Sequence, residues 1–260
     1  MKIIYDLTAI EILHLLDLKR TVEQTKLETF QRKNKQKLPQ ILFDFLSVAM
    51  DQSLFSTADI WTDSNYCLSY FYEWMEEEIE ERKEDWEECP EECLDDPYYP
   101  FSKMPKEQWS EHVCDYLLIG SDYGVGVVSF GIREEDLSED NPAVYVLNEA
   151  DPLTEWKLYY DKLEDFLMYI VCDILACRNY STARRVLKNI RWNVCDYGSQ
   201  EELKQDLLQR NINLSEMKKY RSQFEDDVCY RCCFDQEEKV FYLVKEEKEL
   251  IVLENKFDEI

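Results

Sequence analysis

Tyr116-Leu-Leu-Ile-Gly-Ser-Asp-Tyr-Gly-Val-Gly-Val-Val-Ser-Phe-Gly-Ile132 holds four of the five glycines in this chain: Gly120, Gly124, Gly126 and Gly131. Two apolar stretches flank a Ser-Asp-Tyr-Gly turn. Glycine is used where backbone bends or packs closely, so the run has two readings: a phosphate-cradling loop, or a tight hairpin inside a sheet. A Walker loop needs a lysine to reach the phosphates, and no lysine lies between Lys106 and Lys157. A dinucleotide loop passes from strand to helix across its glycines. Here Gly124-Val-Gly126 runs on into Val-Val-Ser, a strand pattern. The stretch therefore predicts strands over 115–120 and 124–132 joined by a turn at 121–124. Gly126 and Gly131 would permit a bulge or a close backbone approach.

Downstream, a polar loop over 133–141 leads to a strand over 142–147, and 156–159 reads as a short fourth strand. Asp161 and Glu164 have N-cap and N3 spacing. Leu163, Phe166, Leu167, Ile170, Val171, Ile174 and Leu175 follow at helical intervals. Beyond Arg178, residues 181–190 read as a short basic helix. Ser199-Gln-Glu-Glu202 is a capping box opening a helix to about residue 210, and 213–224 also reads helical. Strands over 228–234, 240–244 and 250–253, separated by polar turns, predict a closing meander.

Upstream, the chain reads helical from Thr8 to about Lys33. A second helix starts at Leu38-Pro39, because proline suits the first helical turn. A third is expected over 65–88, with Leu68, Phe71, Tyr72, Met75 and Ile79 on one stripe and glutamate on almost every other face. Like charges such as Glu73/Glu77 and Glu80/Glu84 oppose that helix by ~1 kcal/mol in sum. Burial of the aromatic stripe outweighs this at ~1.5–3 kcal/mol per large side chain. Four prolines punctuate 89–105, which reads as an irregular loop.

The chain has 260 residues and 45% hydrophobic content, enough for one large domain or two smaller ones. The N-terminus lacks an apolar signal segment, and no run is long enough to span a bilayer. A cytoplasmic location is expected, with the ten cysteines as reduced thiols. The net charge of −26 disfavours nucleic acid and anionic membrane as partners and favours basic ones. Between Glu73 and Asp96 lie 14 acidic residues and two basic ones, a local charge of −12, so nearly half the excess is concentrated in one segment.

Chemical motifs are sparse. Cys229-Tyr-Arg-Cys232-Cys233 and Cys89-x3-Cys93 would be needed together for a structural zinc. The second spacing is wrong for a zinc ribbon, and the first motif falls in a predicted strand whose alternation puts Cys229 and Cys233 on one face and Cys232 on the other. Buried small side chains are the expected role, and no metal or other cofactor is expected. His14 lies in a helical, mostly apolar stretch and reads as packed. His112 pairs with no serine or cysteine nucleophile. No catalytic residue is assigned, and an enzyme is not expected. Trp86, Tyr98, Tyr99 and Trp109, in or beside the acidic and proline-rich segment, read either as interface anchors or as residues folding the loop onto the sheet.

An ordered set of short motifs remains: Glu28 before Lys37-Leu38-Pro39 and Phe45-Leu46, then Leu118-Ile119-Gly120-Ser-Asp-x-Gly124, Pro142-Ala-Val-Tyr145, and Leu163-Glu-Asp-Phe166-Leu167. From Val22 to Leu175 this series resembles the SMI1/KNR4 (SUKH) superfamily. The resemblance implies an α+β fold with N-terminal helices packed on a central, mostly antiparallel sheet. It sets a SUKH-like domain at 1–178, with an acidic helical insertion at about 65–110, and a C-terminal α+β extension at 179–260. It also implies an immunity-type protein that neutralises a toxin, often a nuclease, by stoichiometric binding. The alternative within the same fold is an intracellular regulatory or scaffold module without a toxin partner. Nucleases hold polyanions in basic clefts, so Glu76, Glu77, Glu80, Glu81, Glu84, Glu87 and Glu88 are the candidate partner-binding residues, standing in for phosphates.

Overall fold

A computed structural model of the chain describes residues 2–16, 24–49, 68–89, 92–122, 128–148, 151–176, 190–221 and 228–255. The fold is α+β, with antiparallel sheets covered by helices. The helices are α1 (Ala9–Leu15), α2 (Gln24–Asn34), α3 (Gln40–Ala49), α4 (Phe71–Glu88), the single turn α5 (Tyr99–Ser102), α6 (Leu163–Ala176) and α7 (Gln200–Gln209).

One sheet has the order β2-β3-β4-β5-β6, from Ser69–Tyr70, Tyr116–Asp122, Val128–Arg133, Val144–Asn148 and Lys157–Tyr160. The other has the order β1-β9-β10-β11-β7, from Ile3–Ile4, Tyr230–Asp235, Val240–Lys245, Glu249–Asn255 and Ile190–Asp196. Its short β8 (Lys219–Tyr220) also pairs with β9.

Burial on α6 explains how the two sheets meet. Ten of its residues, including Leu163, Phe166, Ile170, Cys172 and Ile174, are buried. A helix apolar on all sides belongs inside a protein, and α6 touches β6 of one sheet and β8, β9 and β10 of the other, as well as α1 and α3. Leu117, Ile119, Phe130, Ile132, Val144 and Val146 face this central core from the first sheet. Cys232, Phe234, Phe241, Leu243, Ile251 and Leu253 face it from the second. The alternate residues of each strand point outward. Tyr116, Leu118, Tyr145 and Leu147 meet α4 in a second cluster, and Cys233, Val240, Tyr242 and Val244 meet Leu203 and Leu207 of α7 in a third. The layers run α4, sheet, central helices, sheet, α7.

The glycine-rich stretch is the expected antiparallel hairpin, but its turn is displaced. Ser121 and Asp122 pair with Ser129 and Val128 as strand residues. The connection is therefore 123–127, outside the described residues together with Gly124 and Gly126. The register shifts between Leu118 and Gly120, a bulge at Ile119. Gly131 supplies the close approach: a Cβ there would stand 3.0 Å from the Tyr116 Cβ and 3.1 Å from Trp156 Cζ3.

Several expectations are corrected. Ser69 and Tyr70 are strand, paired to Leu118 and Leu117, so the acidic helix begins at Phe71 rather than 65; residues 65–67 lie outside the described residues. Residues 213–221 are not helical. The Asn213 Oδ1 accepts from the Ser215 N–H at 3.1 Å and Oγ at 2.7 Å, a local turn that competes with helix. The Arg231 guanidinium donates to the Leu214 and Met217 carbonyls. Of the expected helix at 181–190, only Ile190 lies among the described residues, and it opens strand β7. The helix expected from 8 to 33 is α1 plus α2, with 17–23 outside the described residues. Residues 89–105 include short helical turns rather than only irregular loop. The division at 178 is crossed twice: Ile3 and Ile4 pair with Asp235 and Phe234, and the central core draws on both segments.

Candidate functional site: the acidic helix α4

α4 has no cap of its own, since Tyr70 at the N-cap makes no side-chain capping bond. The first turn is held from outside. Asp115 Oδ1, just before β3, accepts the Tyr72 N–H at 3.1 Å and the Tyr116 N–H at 2.9 Å. The Tyr72 phenol donates to the Val113 carbonyl at 2.5 Å. Phe71, Met75 and Ile79, spaced at i, i+4 and i+8, are buried against the sheet. Phe71 meets Trp156 edge-on at 5.2 Å, and Trp156 stacks on Tyr116 at 4.0 Å over the space that Gly131 leaves open.

The far half of α4 is held by the segment that follows it. Arg82 pairs with Glu78 at 2.9 Å and Asp96 at 3.3 Å, and lies 4.6 Å from the Tyr98 ring centre. The Trp86 indole N–H donates to Asp96 Oδ2 at 3.1 Å. A guanidinium stacked on an aromatic and paired with two carboxylates is a favourable use of arginine. It is also the main cation on a helix otherwise crowded with glutamate.

Glu76, Glu77, Glu80, Glu81, Glu84, Glu87 and Glu88 are all exposed. At ~100° per residue they occupy about 140° of the helix circumference, opposite the buried stripe. Two have nearby ammonium partners: Glu76 with Lys106 at 2.6 Å, and Glu80 with Lys83. Exposed pairs of this kind are weak. The face is a ridge of carboxylates on a fixed backbone, about 18 Å long from Glu76 to Glu88 at 1.5 Å per residue. It can offer acceptors and negative charge to a cationic surface.

Of the four aromatic residues, Tyr98 and Trp109 take the loop-folding reading. Tyr98 and Trp109 are fully buried in the cluster beneath α4, while Trp86 and Tyr99 are half-buried and meet edge-on at 5.4 Å. As anchors displayed for a partner, Tyr98 and Trp109 are ruled out, because their rings are used to fasten the loop to the helix. His14 is exposed rather than packed. Cys232 faces the central core and Cys233 the third cluster, on opposite faces of β9. Burial pushes the Cys233 thiol well above the usual range, so the thiol form dominates there. Among the described residues, no three His, Cys, Asp or Glu side chains are grouped to hold a metal ion, and no helix is long and apolar enough to cross a membrane.

Asp115 was not singled out in the sequence. Burial pushes its carboxyl up to about 6, against the lowering effect of the Tyr72 and Tyr116 N–H bonds, with the Glu134 charge raising it further. Its partner Tyr72 lies 43 positions away, a separation that carries no local sequence signal.

Comparison with protein-family models, with curated proteins and with solved structures finds no match to this chain.

Proposed function

We propose that this protein is a non-enzymatic, immunity-type binding protein of the cytoplasm that neutralises a basic toxin, a nuclease, by stoichiometric binding. The acidic face of α4 takes the place of nucleic acid in the toxin's cleft. One observation carries the reading: seven glutamates chosen from the sequence are exposed together on one face of a helix whose opposite face is buried. A row of fixed carboxylates presents charge to a basic cleft without first having to be ordered, and preorganisation lowers the cost of association. Complementary charge also speeds capture, which matters when a lethal enzyme must be intercepted. The resemblance of 22–175 to the SUKH series supports the same reading.

The test is co-purification with the product of the neighbouring gene, followed by a nuclease assay. A 1:1 complex that suppresses nucleic-acid cleavage is expected. A neighbour that is not a toxin, or a toxin that neither binds nor loses activity, contradicts the proposal and favours the regulatory alternative.

A further inference from the structure

We propose that Leu94 is the apolar anchor of the binding face: it enters a hydrophobic pocket on the partner, and that pocket is bordered by lysine or arginine. The inference rests on the reading of α4 as the surface that meets a basic protein. It adds the contact that holds the complex once charge has drawn it together.

Leu94 is 80% exposed, more than any other large apolar side chain among the described residues. A single surface leucine is ordinary, but this one stands on backbone that is fixed on both sides. It lies in the helical turn Glu92–Asp95 that follows α4. Before it, Cys93 is buried and its thiol donates to the Trp86 carbonyl at 3.5 Å. After it, Asp96 accepts the Trp86 indole N–H at 3.1 Å and pairs with Arg82 at 3.3 Å. The Asp96 N–H closes the turn on the Cys93 carbonyl at 3.3 Å. Both flanks are thus tied to α4, while Leu94 remains in solvent. Trp86 and Tyr99, half-buried and edge-on at 5.4 Å, extend the apolar surface at the same end of the helix. A side chain displayed on fixed backbone loses little freedom on binding, and an apolar anchor acts by filling a pocket from which water is excluded.

Charge sets the kind of pocket. α4 ends in Asp85, Glu87 and Glu88, all exposed, with no basic residue in its last turn. The C-terminal end of a helix already carries partial negative charge, so these carboxylates add to it. Asp95, next to Leu94, is exposed as well. The nearby cations are engaged: Lys83 pairs with Glu80, and Lys103 lies 4.5 Å from the centre of the Tyr99 ring. A pocket with an acidic rim would be repelled here, whereas one bordered by Lys or Arg is complementary. The same charge disfavours a second copy of this chain, at −26, as the occupant. Leu208 on α7 provides the contrast. It is 62% exposed, but the acids of its helix, Glu201 and Asp206, are paired with Lys204 and Arg210.

The test is the dissociation rate of the complex between the full-length protein and the protein encoded beside it, the proposed toxin, for wild type, Leu94→Ser and Leu208→Ser. Leu94→Ser should dissociate about tenfold or more faster, with association within about twofold of wild type. Leu208→Ser should match wild type in both rates. Thermal midpoints of both variants should stay at the wild-type value, which separates a lost anchor from a lost fold. Unchanged dissociation in Leu94→Ser, or an equal effect of Leu208→Ser, would overturn the anchor and leave the acidic face standing. Absence of any complex with the wild-type chain would overturn both.

Discussion

α4 and α7 occupy equivalent places, each lying on the outer face of one sheet, yet they are held there in opposite ways. α7 is locally complete. The Ser199 Oγ accepts the Glu202 N–H at 3.3 Å, and the Glu202 carboxylate accepts the Gly198 N–H at 3.0 Å. Its acids have neighbours of opposite sign, Glu201 with Lys204 and Asp206 with Arg210. α4 has no local cap, and its charge is far from balanced. It is fixed by Asp115, Arg82, Asp96 and a buried aromatic cluster, most of them outside the helix. A helix that supplies its own stability has its surface committed to that task. One fastened from outside can carry a surface that opposes folding, which is the condition α4 needs to serve as a binding face.

The largest effects should come from the buried stripes. Phe71→Ala is expected to cost ~3–5 kcal/mol and Leu207→Ala ~2–5 kcal/mol, measured by denaturant unfolding. If Phe71→Ala costs under ~1 kcal/mol, α4 is not fastened by its aromatic stripe. Gly131→Ala should cost ~1–3 kcal/mol by overpacking, since the new methyl meets the Tyr116 Cβ and Trp156 within 3.1 Å. The matching loss of the Trp156 stack would appear as altered tryptophan emission.

The pH dependence of the two helices should differ in sign. The folded Asp115 carboxyl, at about 6, lies above its unfolded value. Its contribution is fully present below ~4 and is lost as pH rises toward ~6; it amounts to at most ~3 kcal/mol, reduced by partial solvent screening. Asp206 behaves in the opposite way. Burial raises it, but the Tyr197 hydroxyl at 2.7 Å and Arg210 at 3.0 Å outweigh burial and leave it below the usual range. That contribution is present above the unfolded value and is lost as pH falls through the folded one. Thermal midpoints of Asp115→Asn and Asp206→Asn between pH 3 and 8 would separate the two. A parallel pH response in both variants would erase the distinction.

Smaller effects should distinguish caps from charge. Ser199→Ala is expected to cost ~1 kcal/mol. Changing Glu77, Glu81 and Glu84 together to Gln should stabilise by a few tenths of a kcal/mol up to ~1 kcal/mol at low salt, as like-charge repulsion is removed, and the gain should shrink as salt rises. Destabilisation instead would mean that these carboxylates have folding partners and are not held for display.

The contrast also governs what the sequence makes legible. α7 announces itself by Ser199 and Glu202, the two ends of a four-residue run, and the meander β9–β11 by polar turns between apolar runs. The hairpin follows from the glycines, and Gly131 proves to be the close approach that its position implies. β7 was missed although Ile190, Trp192 and Val194 alternate, because the basic residues before it suggested helix. At Asn213 a side-chain turn won over helical periodicity. Under α4 the difficulty is distance. The exposed glutamates follow from helical spacing alone, whereas the burial of Tyr98 and Trp109 depends on Arg82, Asp96 and Phe101, contacts that no local pattern encodes. Asp115 is the clearest case, an ordinary aspartate in the sequence and a remote cap in the fold.

The most direct test of the central claim is the association rate of the purified protein with the protein encoded beside it, the proposed toxin, for the wild-type chain and for the variant with all seven exposed glutamates of α4 changed to glutamine. Between about 50 mM and about 500 mM salt the wild-type rate should fall ~10-fold or more, and the variant should bind slowly at every salt concentration. A variant that associates as fast as wild type, with the same salt dependence, would contradict the assignment of α4 as the binding face.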